Sequence, residues 1–135
     1  MNKKSGFTLI ELMIVVIIMA ALAGMVLPRL LDRADDAKIN ISKGEIASIT
    51  MGLKFYKLDN GSYPGQEDGG LNALMTKPGS AKNWKGPYLE KDPNDPWDRP
   101  YKYKYRGDHN PTGFDLWSLG PDESNSEDDV NNWDD

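Results

Sequence analysis

The chain opens on an apolar run and then changes its pattern. Residues 7–27 form 21 positions with a single charge, Glu11. At about 1.5 Å of helical rise per residue this run spans roughly 31 Å, close to the ~30 Å hydrocarbon core of a bilayer. Beyond Pro28 the pattern becomes one-sided: Ile39, Ile46, Ile49, Leu53 and Tyr56 recur at the spacings of an amphipathic helix, with Lys38, Lys43, Glu45 and Lys54 on its other faces. The two stretches predict one long helix from residue 7 to about residue 58. It should be kinked or melted over residues 24–28, because proline removes a helical hydrogen bond and crowds the preceding turn, and Gly24 weakens the same segment. The first half is greasy all round and needs lipid or copies of itself. The second half needs a domain to lie against.

Asp59-Asn60-Gly61-Ser62-Tyr63-Pro64 ends the helix with strong turn chemistry. A short helix is expected over residues 70–75, with Leu71, Leu74 and Met75 on one face, followed by a loop over residues 77–87. Three prolines, Pro93, Pro96 and Pro100, keep the next stretch irregular. Tyr101-Lys102-Tyr103-Lys104-Tyr105 alternates and reads as a strand, and Phe114-Asp115-Leu116-Trp117-Ser118 reads as a second, joined by a turn over residues 107–113. The strands can pair antiparallel against the amphipathic half of the helix, which makes the fold class α+β: a long N-terminal helix packed on a small antiparallel sheet. The tyrosines are expected to divide between core and surface, and His109 to sit at a solvated hairpin tip.

Charge and composition narrow the function. The 135 residues carry a net charge of −5, and residues 121–135 hold seven Asp or Glu and no Lys or Arg. Nucleic-acid binding wants a basic face, so none is expected. The chain lacks cysteine and has one histidine, and no Ser/His or thiol constellation suggests an enzyme. Lys3 and Lys4 before the apolar run should stay cytoplasmic, which puts the C-terminal domain on the other side of the membrane. Glu11 is the anomaly, because a carboxylate near one end of a membrane helix costs on the order of 2 kcal/mol. Such a residue marks a functional site.

The acidic tail admits two readings. One is a solvated, disordered charge run. The other is a cation loop, since Asp122, Ser124, Asn125, Ser126, Asp128 and Asp129 interleave hard oxygen donors of the kind calcium takes six to eight at a time. The like charges, with Glu123 and Glu127 beside them, would repel in an ordered loop without a cation. The spacing is not that of an EF-hand.

Gly6-Phe7-Thr8-Leu9-Ile10-Glu11, with a short basic leader before it and an apolar run after it, resembles the class III signal of type IV pilins and type II secretion pseudopilins. Further along, Tyr56-Lys57-Leu58-Asp59-Asn60-Gly61-Ser62-Tyr63-Pro64, the Asp95-Pro96-Trp97 and Pro100-Tyr101 pair, and Ser118-Leu119-Gly120-Pro121-Asp122 with Asp128-Asp129-Val130-Asn131-Asn132-Trp133 are similar to the major pseudopilins of type II secretion. Asp98 stands where that family usually has glycine, and the stretch between Asp122 and Asp128 is about one residue short. The resemblance implies a leader over residues 1–6 cut after Gly6 by a prepilin peptidase that also N-methylates Phe7. It implies a transmembrane or filament-core helix over residues 7–30 and a periplasmic domain over residues 31–135. Glu11 is implied in assembly. Ca²⁺ is implied as the cofactor of a C-terminal loop, held by side chains of Asp122, Asp128 and Asp129, main-chain oxygens of Leu119 and Ser126, and Ser124. The expected partners are lipid of the inner membrane before assembly, then a homopolymeric pseudopilus with minor pseudopilins and an inner-membrane secretion platform. A pilin of a surface fibre and a monomeric membrane-anchored calcium-binding adaptor are the alternatives.

Overall fold

The computed structural model describes residues 5–134; Lys3 and Lys4, on which the expected topology rests, lie outside them. Residues divide into two compact units, Met1–Asp36 and Ala37–Asp135. One helix, α1, runs Leu9–Asn60 and contributes to both.

In the first unit the large apolar side chains have nothing to cover them. They range from Val15 at 49% exposed to Phe7 at 89%, and the helix is long and apolar enough there to cross a membrane. The expected melting at residues 24–28 does not occur: the backbone stays helical through Gly24 and Pro28. A proline ring crowds the carbonyl four residues back, which here belongs to Gly24. With no Cβ and open space around it, that residue gives its carbonyl room to tilt.

In the second unit the predicted stripe is the core. Ile46, Ile49, Leu53 and Tyr56 are buried with Leu71, Leu74, Tyr101, Phe114, Leu116 and Val130, and Ile39 is packed against them. Gly52 lies in the same stripe, where a Cβ would stand 3.1 Å from the Tyr88 carbonyl, so the loop after residue 87 passes directly over the helix backbone. The helix ends where turn chemistry predicts. Gly61 adopts a left-handed φ of 90°, and its amide bonds to the Lys57 carbonyl at 2.7 Å. The short helix over Gly70–Leu74 is 3-10 rather than α, consistent with the left-handed glycines Gly69 and Gly70 that lead into it. Leu71 and Leu74 are buried as expected. A second 3-10 turn, Gln66–Asp68, precedes it.

Strands β1 (Lys102–Tyr105) and β2 (Phe114–Ser118) pair antiparallel, with Lys102 opposite Trp117 and Tyr105 opposite Phe114. A third, β3 (Val130–Asn131), pairs antiparallel with β2 and completes the order β1-β2-β3. Asn132 fastens it: its Oδ1 accepts the Leu116 amide at 2.9 Å, and its Nδ2 donates to the Phe114 carbonyl at 3.1 Å. The tyrosines do not divide as expected. Strand period two puts Tyr101, Tyr103 and Tyr105 on one face, graded from buried to half-buried, while Lys102 and Lys104 point to solvent. On the outer side of β1, the Gln66 side-chain amide donates to the Tyr103 carbonyl at 3.0 Å.

Candidate functional site

The N-terminal residues singled out by sequence stand open. No atom lies within 4 Å of a Cβ built on Gly6, and Phe7 is 89% exposed. Glu11 has a local partner that the sequence reading did not assign. Its carboxylate accepts the Thr8 amide at 2.9 Å, and the Thr8 hydroxyl accepts the Glu11 amide at 3.3 Å. This reciprocal pair is a capping box, which satisfies two of the amides that every helix start leaves free. The Thr-x-x-Glu spacing was its signal.

At the other end, β2 leaves the sheet at Ser118 and the chain returns as β3 at Val130. The connection brings together Asp122, Asp128 and Asp129, each with a carboxylate oxygen within 4.8 Å of the others. Ser126 joins them: its hydroxyl donates to Asp122 Oδ2 at 2.8 Å and meets Asp128 Oδ1, and its amide donates to Asp129 Oδ1 at 3.3 Å. The Ser124 amide donates to Asp122 Oδ1 at 3.1 Å. The amide of Ser124 and the hydroxyl of Ser126 hold the exposed Asp122 carboxyl below the usual carboxylate range. Asp129 goes the other way. Burial pushes it up, the Ser126 amide opposes this, and the charges of Asp128 and Asp122 add to the rise. Three converging carboxylates and a hydroxyl form a set of hard oxygen donors. Leu119 is half-buried just before the loop, and no described hydrogen bond ties it to the cluster. Gly120 has φ 67°, and a Cβ there would stand 2.6 Å from the Asp128 carbonyl, so the loop closes tightly on its own start.

Two buried carboxylates outside the sequence-based site accept more hydrogen bonds than any carboxylate of the cluster. Asp115 is 2% exposed and accepts the amides of His109 and Asn110 at 3.0 Å each, with His109 Nδ1 at 3.1 Å. Burial pushes its pKa up, but the bonds from His109 and from the Asn110 and Asp108 amides outweigh this and hold it below the ordinary value. His109 is therefore more than a solvated tip. Its ring also stacks on Trp133 with centroids 4.1 Å apart and planes 2° from parallel. Asp95, 4% exposed, accepts the amides of Trp97 and Arg99 at 3.0 and 2.9 Å and the Ser118 hydroxyl at 2.6 Å. A groove between α1 and the loop over residues 88–94 has Glu45 and Lys91 in its lining. Those two are paired with each other at 2.6 Å.

A greasy N-terminal helix with a lone capped glutamate, continued into the core of a small α+β domain, defines a pilin-like subunit. Residues 1–27 match the prokaryotic N-terminal methylation motif, and residues 29–133 match the family model of type II secretion system protein G. The chain is 46% identical to the type II secretion system core protein G of Pseudomonas aeruginosa, over 98% of this chain and 97% of that one. It is 38% identical to that of Escherichia coli K12, over 98% and 92%. The crystal structure of the major pseudopilin from the type 2 secretion system of enterohaemorrhagic E. coli superposes with a TM-score of 0.67 at 33% identity, covering 77% of this chain and 89% of that one. The chain belongs to the type II secretion system protein G family: it is a membrane-anchored structural subunit of a pseudopilus, and not an enzyme.

Proposed function

We propose that the subunit is inserted in the inner membrane with residues 1–6 in the cytoplasm and residues 31–135 in the periplasm. It is cut after Gly6 by a prepilin peptidase, N-methylated at Phe7, and polymerised into a periplasmic filament that drives protein export. Minor pseudopilins and the inner-membrane secretion platform are its partners in assembly. The observation that carries this reading is the uncovered apolar surface of α1 from Leu9 to Leu27, with Glu11 the single charge inside it. Lipid satisfies that surface before assembly, and neighbouring helices satisfy it afterwards. Once water is excluded, the Glu11 carboxylate needs a counter-charge, and the methylated amine of Phe7 on a neighbouring subunit supplies one that stays basic. Removing one partner of a buried pair costs about 3–5 kcal/mol.

Calcium belongs to the same proposal. Asp122, Asp128 and Asp129, with Ser124, Ser126 and the Leu119 carbonyl, would hold it. The ion would supply the positive charge that three converging carboxylates lack, and so tie the end of β2 to the segment leading into β3. Glu11→Ala should leave insertion and cleavage intact, with intact mass showing a methylated Phe7 terminus, and should abolish filaments in sheared periplasmic fractions. Normal filaments from that variant would refute the pairing. Filaments lacking from the unaltered chain as well would favour a membrane-anchored adaptor.

A further inference from the structure

The loop that carries the acidic cluster is held at its start by residues that belong to another part of the chain. Gly120 has both backbone groups engaged. Its amide donates to Ser118 Oγ at 3.2 Å, and its carbonyl accepts a bond from Arg99 Nη2. Ser118, 1% exposed, in turn donates its hydroxyl hydrogen bond to Asp95 Oδ2 at 2.6 Å. Arg99 Nη2 lies 3.5 Å from that same oxygen. The other oxygen of Asp95 closes the turn that presents Arg99 by accepting the amides of Trp97 and Arg99, and the Asp95 amide donates to the Arg99 carbonyl at 2.7 Å. Asp95 therefore orders a guanidinium and a hydroxyl at once, and both grip one glycine.

The consequence is geometric. A peptide unit is planar and trans, so its N–H and C=O point in opposite directions. Fixing the Gly120 amide on Ser118 fixes the Leu119 carbonyl facing the other way, and Leu119 is the expected main-chain ligand. Fixing the Gly120 carbonyl on Arg99 sets the next peptide unit, the one leading through Pro121 to Asp122. The left-handed φ of 67° at Gly120, and the 2.6 Å separation between its missing Cβ and the Asp128 carbonyl, leave this segment little freedom to reorient. We propose that Asp95, Arg99 and Ser118 are positioning residues for the cation loop: they aim the Leu119 carbonyl and Asp122, so that ion affinity depends on a buried carboxylate in the loop before β1. This rests on the calcium reading above. Linkage is reciprocal, so the bound ion must steady the turn over residues 95–99 by the same free energy.

The test uses the full chain in detergent micelles, titrated with CaCl₂ by calorimetry, alongside Ser118→Ala, Asp95→Asn and Arg99→Lys. Trp84→Phe serves as a control, because it removes an unrelated bond, Trp84 Nε1 to the Ala73 carbonyl at 2.8 Å. Ser118→Ala and Asp95→Asn should weaken calcium binding about tenfold, or about 1.4 kcal/mol, and Arg99→Lys by less, since it keeps the charge and loses the fork. Trp84→Phe should lower the melting temperature and leave the Kd unchanged. Hydrogen exchange at the amides of Trp97 and Arg99 should slow on adding calcium to the unaltered chain. Should Asp95→Asn fail to fold, the other two variants decide. If the unaltered chain binds calcium and all folded variants bind it equally well, the positioning is overturned while the calcium reading stands. If the unaltered chain binds none, the calcium reading itself falls.

Discussion

Asp95 and Asp115 are acidic residues of the same domain as Asp122, Asp128 and Asp129, but the two groups meet burial differently. Asp95 and Asp115 are 4% and 2% exposed, and every neighbour on them is a donor: amides, a hydroxyl, a guanidinium, an imidazole. The cluster of Asp122, Asp128 and Asp129 is more open, yet its members face one another, and Ser126 is the one side chain seen bridging two of them. The first group is compensated from within the fold. The second is compensated only in part: donors from Ser124 and Ser126 hold Asp122 low, while burial and the charges of Asp128 and Asp122 push Asp129 up. A carboxylate surrounded by donors is part of the scaffold, and one that faces other carboxylates is where the proposed cation would act.

The contrast can be broken most severely at Asp115. Asp115→Ala strips the acceptor from the His109 and Asn110 amides, and each buried unsatisfied donor costs about 1–3 kcal/mol. Thermal melting of the full chain in micelles should fall on the order of 15 °C. A change of a degree or two would mean that water replaces the carboxylate freely. Withdrawal of calcium comes next. With the ion at a hundredfold excess over its Kd, binding contributes about 2.7 kcal/mol, so melting in EGTA should come roughly 10–15 °C lower than in CaCl₂. Coincident melts with no heat of binding would return residues 122–129 to a solvated acidic tail.

The smallest effect concerns acid. Asp115 has its carboxyl held below the ordinary value in the folded state, so its stabilisation is present above the unfolded value of about 3.9 and is lost as pH falls through the folded one. In EGTA, the unaltered chain should lose stability below about pH 4, and Asp115→Asn should flatten that slope. Equal slopes would remove Asp115 from the acid limb.

What could be read from sequence follows from which interactions are periodic. The stripe from Ile39 to Tyr56 and the alternation through β1 repeat along the chain, so both elements were visible before any coordinates. The alternation also implied that Tyr101, Tyr103 and Tyr105 share a face, a consequence of the pleat that the expectation of a divided stripe overlooked. β3 was missed because two residues show no period; its place is set by the Asn132 side chain bonding across to β2. The parts played by Asp95 and Asp115 were hidden for a related reason. Their partners are backbone amides converging from loops, and an amide looks the same at every position in a sequence. The Asp122, Asp128 and Asp129 cluster was legible because its chemistry lies in the side chains themselves.

A molecule that assembles into a filament must keep unwanted surfaces from associating, and a sheet has an edge that invites another. β1 forms one edge of the sheet, a row of backbone groups to which a second chain could add a strand. Here that edge is taken up and guarded: the Gln66 side chain occupies the Tyr103 carbonyl, while Lys102 and Lys104 stand exposed on the same strand. Two such edges approaching each other would bring ammonium groups together and find a carbonyl already spoken for. A guarded edge of this kind steers the chains away from amyloid-like stacking.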